Sequence, residues 1–190
     1  MSAPLDLPAI VTTAFETCRR AGYASFCRNE TGRLLAALAA TRAGTMAEFG
    51  TGCGVGTAWL RSGMRPEARI VTAELDARLA GAAAQIFLDD PRVEVLAADW
   101  STLRERGPFS LLFLDSGQPD EVRVDRVADL LEDGGVVILD DFVPCASWPP
   151  ISGGRVDRLR EEWLSDPRFA AVEVMVADDA SALIATRRAA

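Results

Sequence analysis

Histidine and lysine are both missing from this chain, and all 20 of its basic residues are arginine. Their absence excludes a histidine general base, a histidine-ligated zinc ion, a lysine Schiff base and a P-loop lysine. Proton transfer is therefore left to aspartate, glutamate, cysteine, the single Tyr23 or a bound metal ion.

Paired cysteines, long apolar runs and excess positive charge are lacking as well. The four cysteines form no C-x-x-C pair, which argues against a zinc ribbon or a disulfide scaffold and is typical of reduced cytosolic thiols. Without a run of about 18 apolar residues or a basic leader segment, we expect a cytoplasmic protein with no membrane partner. The formal net charge of −8 would repel a phosphate backbone, so no nucleic-acid partner is expected.

The composition is that of a globular protein, with 49% hydrophobic and 25% charged residues in 190. We expect a single domain over residues 1–190, with an N-terminal helical cover (1–44) and a sheet core (45–190). The arginine- and alanine-rich composition suggests a GC-rich bacterial genome. The sequence leaves the oligomeric state open, a homodimer included.

From Thr45 onward, short apolar segments alternate with helical patterns, after two predicted helices at Pro8–Ala21 and Glu30–Thr41. The predicted strands are Thr45–Phe49, Arg69–Glu74, Val93–Ala97, Phe109–Leu114 and Val136–Leu139, followed by a terminal hairpin of Ala170–Val176 and Ala182–Thr186. The predicted helices between and after them are Val55–Ser62, Ala77–Leu88, Asp120–Leu131 and Arg155–Leu164. This alternation predicts a doubly wound α/β sheet.

A glycine-rich turn follows the first predicted strand, with glycines at 50, 52, 54 and 56. Such glycines permit positive φ angles and close approach of a ligand, while the free N–H groups of the next helix attract electron-rich groups. The dinucleotide fingerprint G-x-G-x-x-G is not satisfied from any of these glycines, which argues against NAD-dependent oxidoreduction. The pattern acidic-x-Gly-x-Gly-x-Gly, led by Glu48, resembles motif I of the class I S-adenosylmethionine methyltransferases. A turn that closes a strand–helix unit without binding a ligand is the structural alternative.

Acidic residues follow four of the five core strands, at the edge of the sheet where ligands bind in α/β folds. Glu74 lies about 20 residues past the glycine turn, where a carboxylate can accept both ribose hydroxyls. Asp99 could bond an adenine amino group while Trp100 stacks on the base. The structural alternative is that such acids only form turns and cap helices.

Three further acids, Asp115, Asp140 and Asp141, end the fourth and fifth strands. These strands should be neighbours, so the carboxylates should converge with no lysine to neutralise them. Converging carboxylates need a cation, and Mg²⁺, Ca²⁺ and Mn²⁺ are the abundant ions that prefer all-oxygen sites.

Together these motifs resemble the catechol-O-methyltransferase-like family of metal-dependent O-methyltransferases, from about Ser25 to Phe142. The resemblance implies a Rossmann-like methyltransferase fold whose seven-stranded, mostly parallel sheet ends in an antiparallel hairpin. It implies S-adenosylmethionine as the cofactor, bound by Glu48, Gly50, Thr51, Gly52, Gly54, Glu74, Asp99, Trp100 and Asp115. It also implies that Asp115 is catalytic, and that Asp115, Asp140 and Asp141 hold a divalent metal, with Mg²⁺ expected before Mn²⁺ or Ca²⁺.

Two positions depart from the family pattern. Gln118 stands where members often carry a lysine base, and Ser116 with Gly117 replaces a bulkier residue. Ionising a phenol at pH 7 costs roughly 4 kcal/mol, and a divalent ion could offset most of that cost. We therefore expect methyl transfer to a hydroxyl of a small catechol-like or vicinal-oxygen acceptor. A metal-independent methyltransferase and a cofactor-binding protein without catalysis remain alternatives.

Overall fold

The structure is a computed structural model that describes residues 6–115 and 122–189. Its helices are α1 (Ala9–Ala21), α2 (Asn29–Ala39), α3 (Val55–Gly63), α4 (Ala77–Ile86), α5 (Val124–Val127) and α6 (Arg158–Ser165), with 3-10 segments at Trp100–Arg106 and Ala128–Leu130. Its strands are β1 (Thr45–Phe49), β2 (Arg69–Glu74), β3 (Val93–Ala97), β4 (Phe109–Leu114), β5 (Leu131–Phe142), β6 (Ile151–Ser152), β7 (Arg155–Val156), β8 (Phe169–Ala177) and β9 (Ala180–Arg187).

Seven strands form one sheet in the order β3-β2-β1-β4-β5-β9-β8. The first five strands in that order pair in parallel, whereas β9 runs antiparallel to both β5 and β8. The predicted doubly wound sheet with a C-terminal antiparallel hairpin is therefore confirmed. Chain order reverses between β1 and β4, so the carboxyl ends of these two strands form the crevice where α/β sheets bind ligands.

Both faces of the sheet are covered, which explains why every residue of β4 is buried. Alternate side chains of the strands divide between two cores: Met46 and Leu111 pack on the side of α1, α2 and α3. Leu112 and Trp163 belong to the other core, beneath α5 and α6. No helix in the described ranges has both the length and the apolar character needed to cross a membrane.

Helices α2 and α3 pack closely against each other at two glycines. A side chain at Gly32 would meet the indole of Trp59 on α3, and one at Gly63 would meet the backbone of Ala36 on α2. Helix α1 ends at Gly22, whose φ of 66° turns the chain back across the carboxyl edge of the sheet.

The first four strands coincide with the predicted ones, whereas two predicted helices differ from the structure. In the helix predicted at Arg155–Leu164, Arg155 and Val156 form β7 instead, and α6 begins at Arg158. The helix predicted at Asp120–Leu131 starts in residues that the structure does not describe. Its described part contains only the short α5 and a 3-10 turn, because Leu131 already belongs to β5 and pairs with β4. The predicted strand Val136–Leu139 is the centre of the longer β5. The small antiparallel pair β6–β7 was not predicted.

Strand β5 contains a β-bulge at Asp140 and Asp141. Its pairing with β9 runs to Leu139 opposite Leu183 and resumes at Phe142 opposite Ser181, so two residues of β5 face one of β9. Asp141 has a φ of 67°, in the left-handed region that aspartate tolerates better than most residues. Bulges of this kind redirect side chains beside functional sites.

Candidate functional site

The glycine turn between β1 and α3 takes the backbone conformation that its sequence predicts. Gly50, Gly52 and Gly54 have φ angles of 93°, 51° and 89°. The turn is fixed by a 3.0 Å hydrogen bond from the Gly50 N–H to the Ala73 carbonyl and by one of 2.8 Å from the Gly54 N–H to the Thr51 carbonyl. It is therefore a rigid backbone loop at the start of a buried helix, as an electron-rich ligand requires.

Glu74 is brought directly to this turn. Its Oε2 accepts a 2.8 Å hydrogen bond from the N–H of Gly52, and its Oε1 accepts one of 2.9 Å from the N–H of Asp76. The side chain remains partly exposed. A carboxylate has about four acceptor positions, so these two bonds leave capacity for hydroxyl groups of a ligand.

Glu48 lies beneath the turn rather than in an open cleft. The carboxylate is fully buried; its Oε2 accepts hydrogen bonds from the hydroxyls of Thr57 and Thr72, while Oε1 has no partner and lies against Gly56. Burial raises the pKa of Glu48 to about 7. Glu48 therefore supports the turn from below, and its predicted contact with the cofactor stays a prediction.

Asp99 and Trp100, the residues predicted to contact adenine, lie at the start of the 3-10 segment, and Asp99 caps it. Asp99 is exposed and its Oδ1 accepts a 2.9 Å hydrogen bond from the N–H of Ser101, which begins the 3-10 segment and lowers the pKa of Asp99. The indole of Trp100 is buried and stacked on Phe49, with ring centroids 4.6 Å apart. One face of the Trp100 ring is therefore covered by Phe49, and its predicted stacking on a base stays a prediction.

A cavity of about 590 Å³ opens beside the ends of β4 and β5. The three acids predicted as metal ligands, Asp115, Asp140 and Asp141, all line it. They share the cavity with one further acid, Asp157, and one base, Arg160. Its apolar wall consists of Leu114, Val122, Leu139, Phe142, Val143 and Leu159.

The acids of this cavity repel one another. Burial raises the pKa of Asp115 well above its usual range, and the negative charges of Glu48, Asp141, Asp140 and Glu74 raise it further. Burial also raises the pKa of Asp140, although hydrogen bonds to its carboxylate oppose that shift. The cavity therefore favours protons or cations over free carboxylates.

The carboxylates do not form a closed metal centre as they stand. Within residues 6–115 and 122–189, no group of three acidic or cysteine side chains is arranged so that it could hold a metal ion. Asp140 Oδ1 accepts a 2.9 Å hydrogen bond from the hydroxyl of Thr31 on α2, while its Oδ2 is buried without a partner. The family-variant positions Ser116, Gly117 and Gln118 lie outside the described residues.

Arg160 lines the cavity, although no sequence pattern marked it as a site residue. It is only 1% exposed, pairs with Asp157 and Glu173 at 3.3 Å, and lies 4.8 Å over the Phe142 ring. Thr31 was not predicted either, because its partner Asp140 is 109 positions away in the chain. Both contacts depend on tertiary packing that no local pattern encodes.

A second cleft, of only about 10 Å³, lies over the glycine turn. It is lined by Thr51, Gly52, Cys53, Val55 and Gly56 of the turn and by Tyr23, Ser25, Phe26, Cys27 and Asp115. Three residues, Tyr23, Ser25 and Asp115, line both this cleft and the large acidic cavity. The glycine turn and the acidic cavity therefore meet at these three side chains, with Asp115 held there by a 3.0 Å hydrogen bond from its N–H to the Phe49 carbonyl.

Comparison with known proteins places this geometry in context. The sequence profile of a family described as "Methyltransferase domain" matches residues 47–142, which include the glycine turn and the acids of β4 and β5. No relative among curated proteins matches the chain.

Several solved structures share the fold. An O-methyltransferase from Bacillus cereus in complex with S-adenosylhomocysteine has a TM-score of 0.78 and 21% identity, covering 96% of this chain and 93% of the other. The O-methyltransferase TomG from Streptomyces achromogenes, involved in tomaymycin synthesis and solved with S-adenosylmethionine, has a TM-score of 0.76 and 20% identity, covering 97% and 92%. A Podospora anserina methyltransferase bound to S-adenosylhomocysteine has a TM-score of 0.75 and 21% identity, covering 96% and 89%.

Proposed function

This chain belongs to the methyltransferase-domain family whose profile it matches over residues 47–142, and we propose that it transfers a methyl group from S-adenosylmethionine to a hydroxyl of a small acceptor. One observation carries the proposal: the acidic cavity of about 590 Å³ reaches the glycine turn at Tyr23, Ser25 and Asp115. A cofactor on one side and an acceptor on the other would face each other at that point.

The cofactor side is built from the glycine turn and Glu74. The positive φ angles of Gly50, Gly52 and Gly54 let the methionine part of the cofactor lie against the backbone, and Thr51 lines the cleft over the turn. Glu74, already fixed to the N–H of Gly52, would accept the ribose hydroxyls. The proposed cofactor site therefore rests on these five residues and on Asp115, without Glu48 or Trp100.

The acceptor side has the size and chemistry for a small hydroxylated molecule. A volume of about 590 Å³ lies in the range of small-molecule sites. Ionised carboxylates act only as hydrogen-bond acceptors, so a cavity lined by Asp115, Asp140 and Asp141 favours a ligand that presents hydroxyl donors. Its apolar wall suits an aromatic ring, which supports a catechol-like or vicinal-oxygen acceptor.

The reaction itself is a displacement at carbon. A lone pair of the acceptor oxygen forms a bond to the methyl carbon while the carbon–sulfur bond breaks, and its electron pair stays on sulfur to give S-adenosylhomocysteine. The proton of the acceptor hydroxyl must go to a base. We assign that role to Asp115, because it borders both the glycine turn and the acidic cavity.

We also propose that a divalent cation, Mg²⁺ before Mn²⁺ or Ca²⁺, assists the reaction. Four acids and a single arginine line the cavity, and Arg160 is already paired with Asp157 and Glu173. The unpartnered Oδ2 of Asp140 is a buried oxygen that a cation would satisfy. Asp115, Asp140 and Asp141 supply the carboxylate oxygens that such an ion prefers, and binding would require their side chains to move together, since they do not form a metal-binding group as they stand. A bound ion would lower the pKa of the acceptor hydroxyl.

The test is a transfer assay with S-adenosylmethionine carrying a trideuterated methyl group. Catechol, phenol and an aromatic amine would each be incubated with the protein, with Mg²⁺ or with a chelator, and the products analysed by mass spectrometry. Labelled catechol is expected, and Asp115→Asn should lower its rate by roughly 100-fold or more, whereas the exposed Asp89→Asn should not. Cofactor binding without transfer to any acceptor would instead support a non-catalytic role.

A further inference from the structure

The β-bulge in β5 carries two acids of the cavity proposed for the methyl acceptor. Asp140 and Asp141 lie between the two points where β5 pairs with β9, and both line the cavity. Asp141 has a φ of 67°, a conformation that is strained for a residue other than glycine and persists only where the surrounding structure enforces it. The contacts that hold the chain beside the bulge therefore control the positions of these carboxylates.

Phe142, the residue after the bulge, is held from the C-terminal hairpin. It pairs with Ser181 of β9, where the ladder between β5 and β9 resumes. Ser181 is fully buried, and its hydroxyl lies 3.3 Å from the carbonyl oxygen of Phe142 and donates a hydrogen bond to Oε1 of Glu173 on β8. Ser181 thus links the end of the bulge to both strands of the hairpin.

The ring of Phe142 is held by the same group of residues, through Arg160 on α6. The guanidinium carbon of Arg160 lies 4.8 Å from the centroid of the ring, and its Nη1 donates to both carboxylate oxygens of Glu173, at 3.3 Å and 3.4 Å. Phe142 is therefore held at its main chain by Ser181 and at its ring by Arg160. Glu173 contacts both of these residues and joins them into one network.

This network is largely shielded from water. The side chain of Arg160 is 1% exposed and that of Glu173 is 17% exposed. Hydrogen bonds that involve charged groups are stronger than neutral ones, and a low local dielectric strengthens them further. Removing one member would leave its buried partners unsatisfied. The network therefore has the rigidity needed to enforce a strained backbone beside it.

We propose that Glu173 and Ser181 are positioning residues for the methyl acceptor, because they hold Phe142 and thereby fix the carboxylates of Asp140 and Asp141. The inference rests on the proposed function, since it takes the acidic cavity as the acceptor site. It adds that the C-terminal hairpin, none of whose described residues lines that cavity, sets the geometry of two of its acids.

The test is steady-state methyl transfer to catechol by the wild type, Ser181→Ala, Glu173→Gln and Ser110→Ala. Ser110→Ala is the matched control, because the Ser110 hydroxyl is also buried and donates a 3.1 Å hydrogen bond to a backbone carbonyl, that of Thr45, at the opposite edge of the sheet. Thermal unfolding confirms that each variant is folded.

Ser181→Ala should raise the KM for catechol roughly tenfold with a smaller change in kcat, because the proposed base, Asp115, follows β4 and lies outside the network. Glu173→Gln keeps an oxygen that accepts from Ser181 and should raise the KM less. Ser110→Ala should leave it near the wild-type value.

Amide hydrogen exchange of residues 139–143 gives a second readout that does not depend on activity. Exchange should be roughly tenfold faster in Ser181→Ala and unchanged in Ser110→Ala. This measurement reports directly whether Ser181 holds the bulge.

The outcomes separate this inference from the proposed function. Equal effects of the two serine variants on the KM, a loss confined to kcat, or unchanged exchange at the bulge in Ser181→Ala would each overturn the inference. A larger rise in KM in Glu173→Gln than in Ser181→Ala would also overturn it, because the charge facing Arg160 would then carry the effect. If the folded wild type transfers a methyl group to no acceptor, the proposed function itself fails, and the exchange comparison still tests the network.

Discussion

Thr31 and Asp140 are joined by a 2.9 Å hydrogen bond from the threonine hydroxyl to the carboxylate Oδ1. The bond links α2, in the N-terminal helical segment, to the bulge at the end of β5, 109 positions later in the chain. Thr31 is fully buried, and the other oxygen of Asp140 has no partner. One hydroxyl therefore holds both the helical cover and an acid of the proposed acceptor cavity.

Removing this hydroxyl should destabilise the protein. In Thr31→Val the buried Asp140 loses its side-chain donor, and we expect the free energy of unfolding to fall by about 1–2 kcal/mol, measured by urea denaturation. Thr13→Val, which removes an exposed hydroxyl bonded only within α1, is the matched control. Equal effects of the two substitutions would show that the contact with Asp140 contributes no stability.

The buried Glu48 should make stability depend on pH. Its pKa is raised from 4.5 to about 7, so the folded state keeps a proton that the unfolded state releases. The contribution of Glu48 is therefore fully present below about pH 4.5 and is lost as pH rises toward 7, a change of about 3 kcal/mol.

Glu48→Gln isolates this contribution because glutamine does not titrate. The free energy of unfolding of the wild type, minus that of the variant, should fall between pH 4.5 and 7 and level off above it. Denaturation at a series of pH values measures this difference. The contributions of the other titrating acids cancel, because they are present in both proteins. A difference that stays constant, or rises with pH, would mean that Glu48 is ionised in the folded protein.

Two glycines in helices should respond to alanine in opposite directions. A Cβ at Gly63 would lie 2.0 Å from the backbone oxygen of Ala36, so Gly63→Ala should separate α2 from α3 and cost about 2–3 kcal/mol. A Cβ at Gly81 on α4 meets nothing within 4 Å, and Gly81→Ala should stabilise by about 0.5–1 kcal/mol. Thermal unfolding of both variants gives the comparison, and the same sign for both would contradict the close packing of α2 on α3.

Removal of divalent ions should abolish most of the transfer to a vicinal diol, and Mg²⁺ should restore it. Asp141→Asn is the informative variant, because asparagine tolerates the φ of 67° that alanine would find strained. We expect it to raise the Mg²⁺ concentration for half-maximal activity by roughly tenfold or more, whereas Asp133→Asn, at the other end of β5, should not. Full activity in the chelator would instead support the metal-independent alternative.

The sequence predicted the parts of the fold that local patterns encode. A strand that is buried on both faces is a short unbroken apolar segment. The boundaries of strands such as Phe109–Leu114 could therefore be predicted from the apolar residues alone. The conformation of the glycine turn could also be predicted, because glycine is the residue that most readily adopts three positive φ angles within five residues. The placement of acids at strand ends followed from the parallel topology.

Other features depended on contacts between residues far apart in the chain, which local sequence patterns do not predict. Trp100 looked like a stacking platform, but its position beside Phe49 was available only after β1 and the 3-10 segment packed together. Glu48 belonged to a motif associated with the cofactor, yet its buried carboxylate accepts hydrogen bonds from Thr57 on α3 and Thr72 on β2. The position of the Tyr23 ring depends on Gly52, 29 residues later in the chain, because a side chain there would clash with the ring.

The central claim is that the glycine turn and Glu74 bind the adenosylated cofactor, and titration of S-adenosylhomocysteine by calorimetry tests it most directly. We predict saturable one-to-one binding by the wild type, weakened roughly tenfold or more in Glu74→Gln and unchanged in Glu94→Gln, whose carboxylate pairs with Arg106 on the surface. Absence of binding by the folded wild type, or equal binding by all three proteins, would contradict the account.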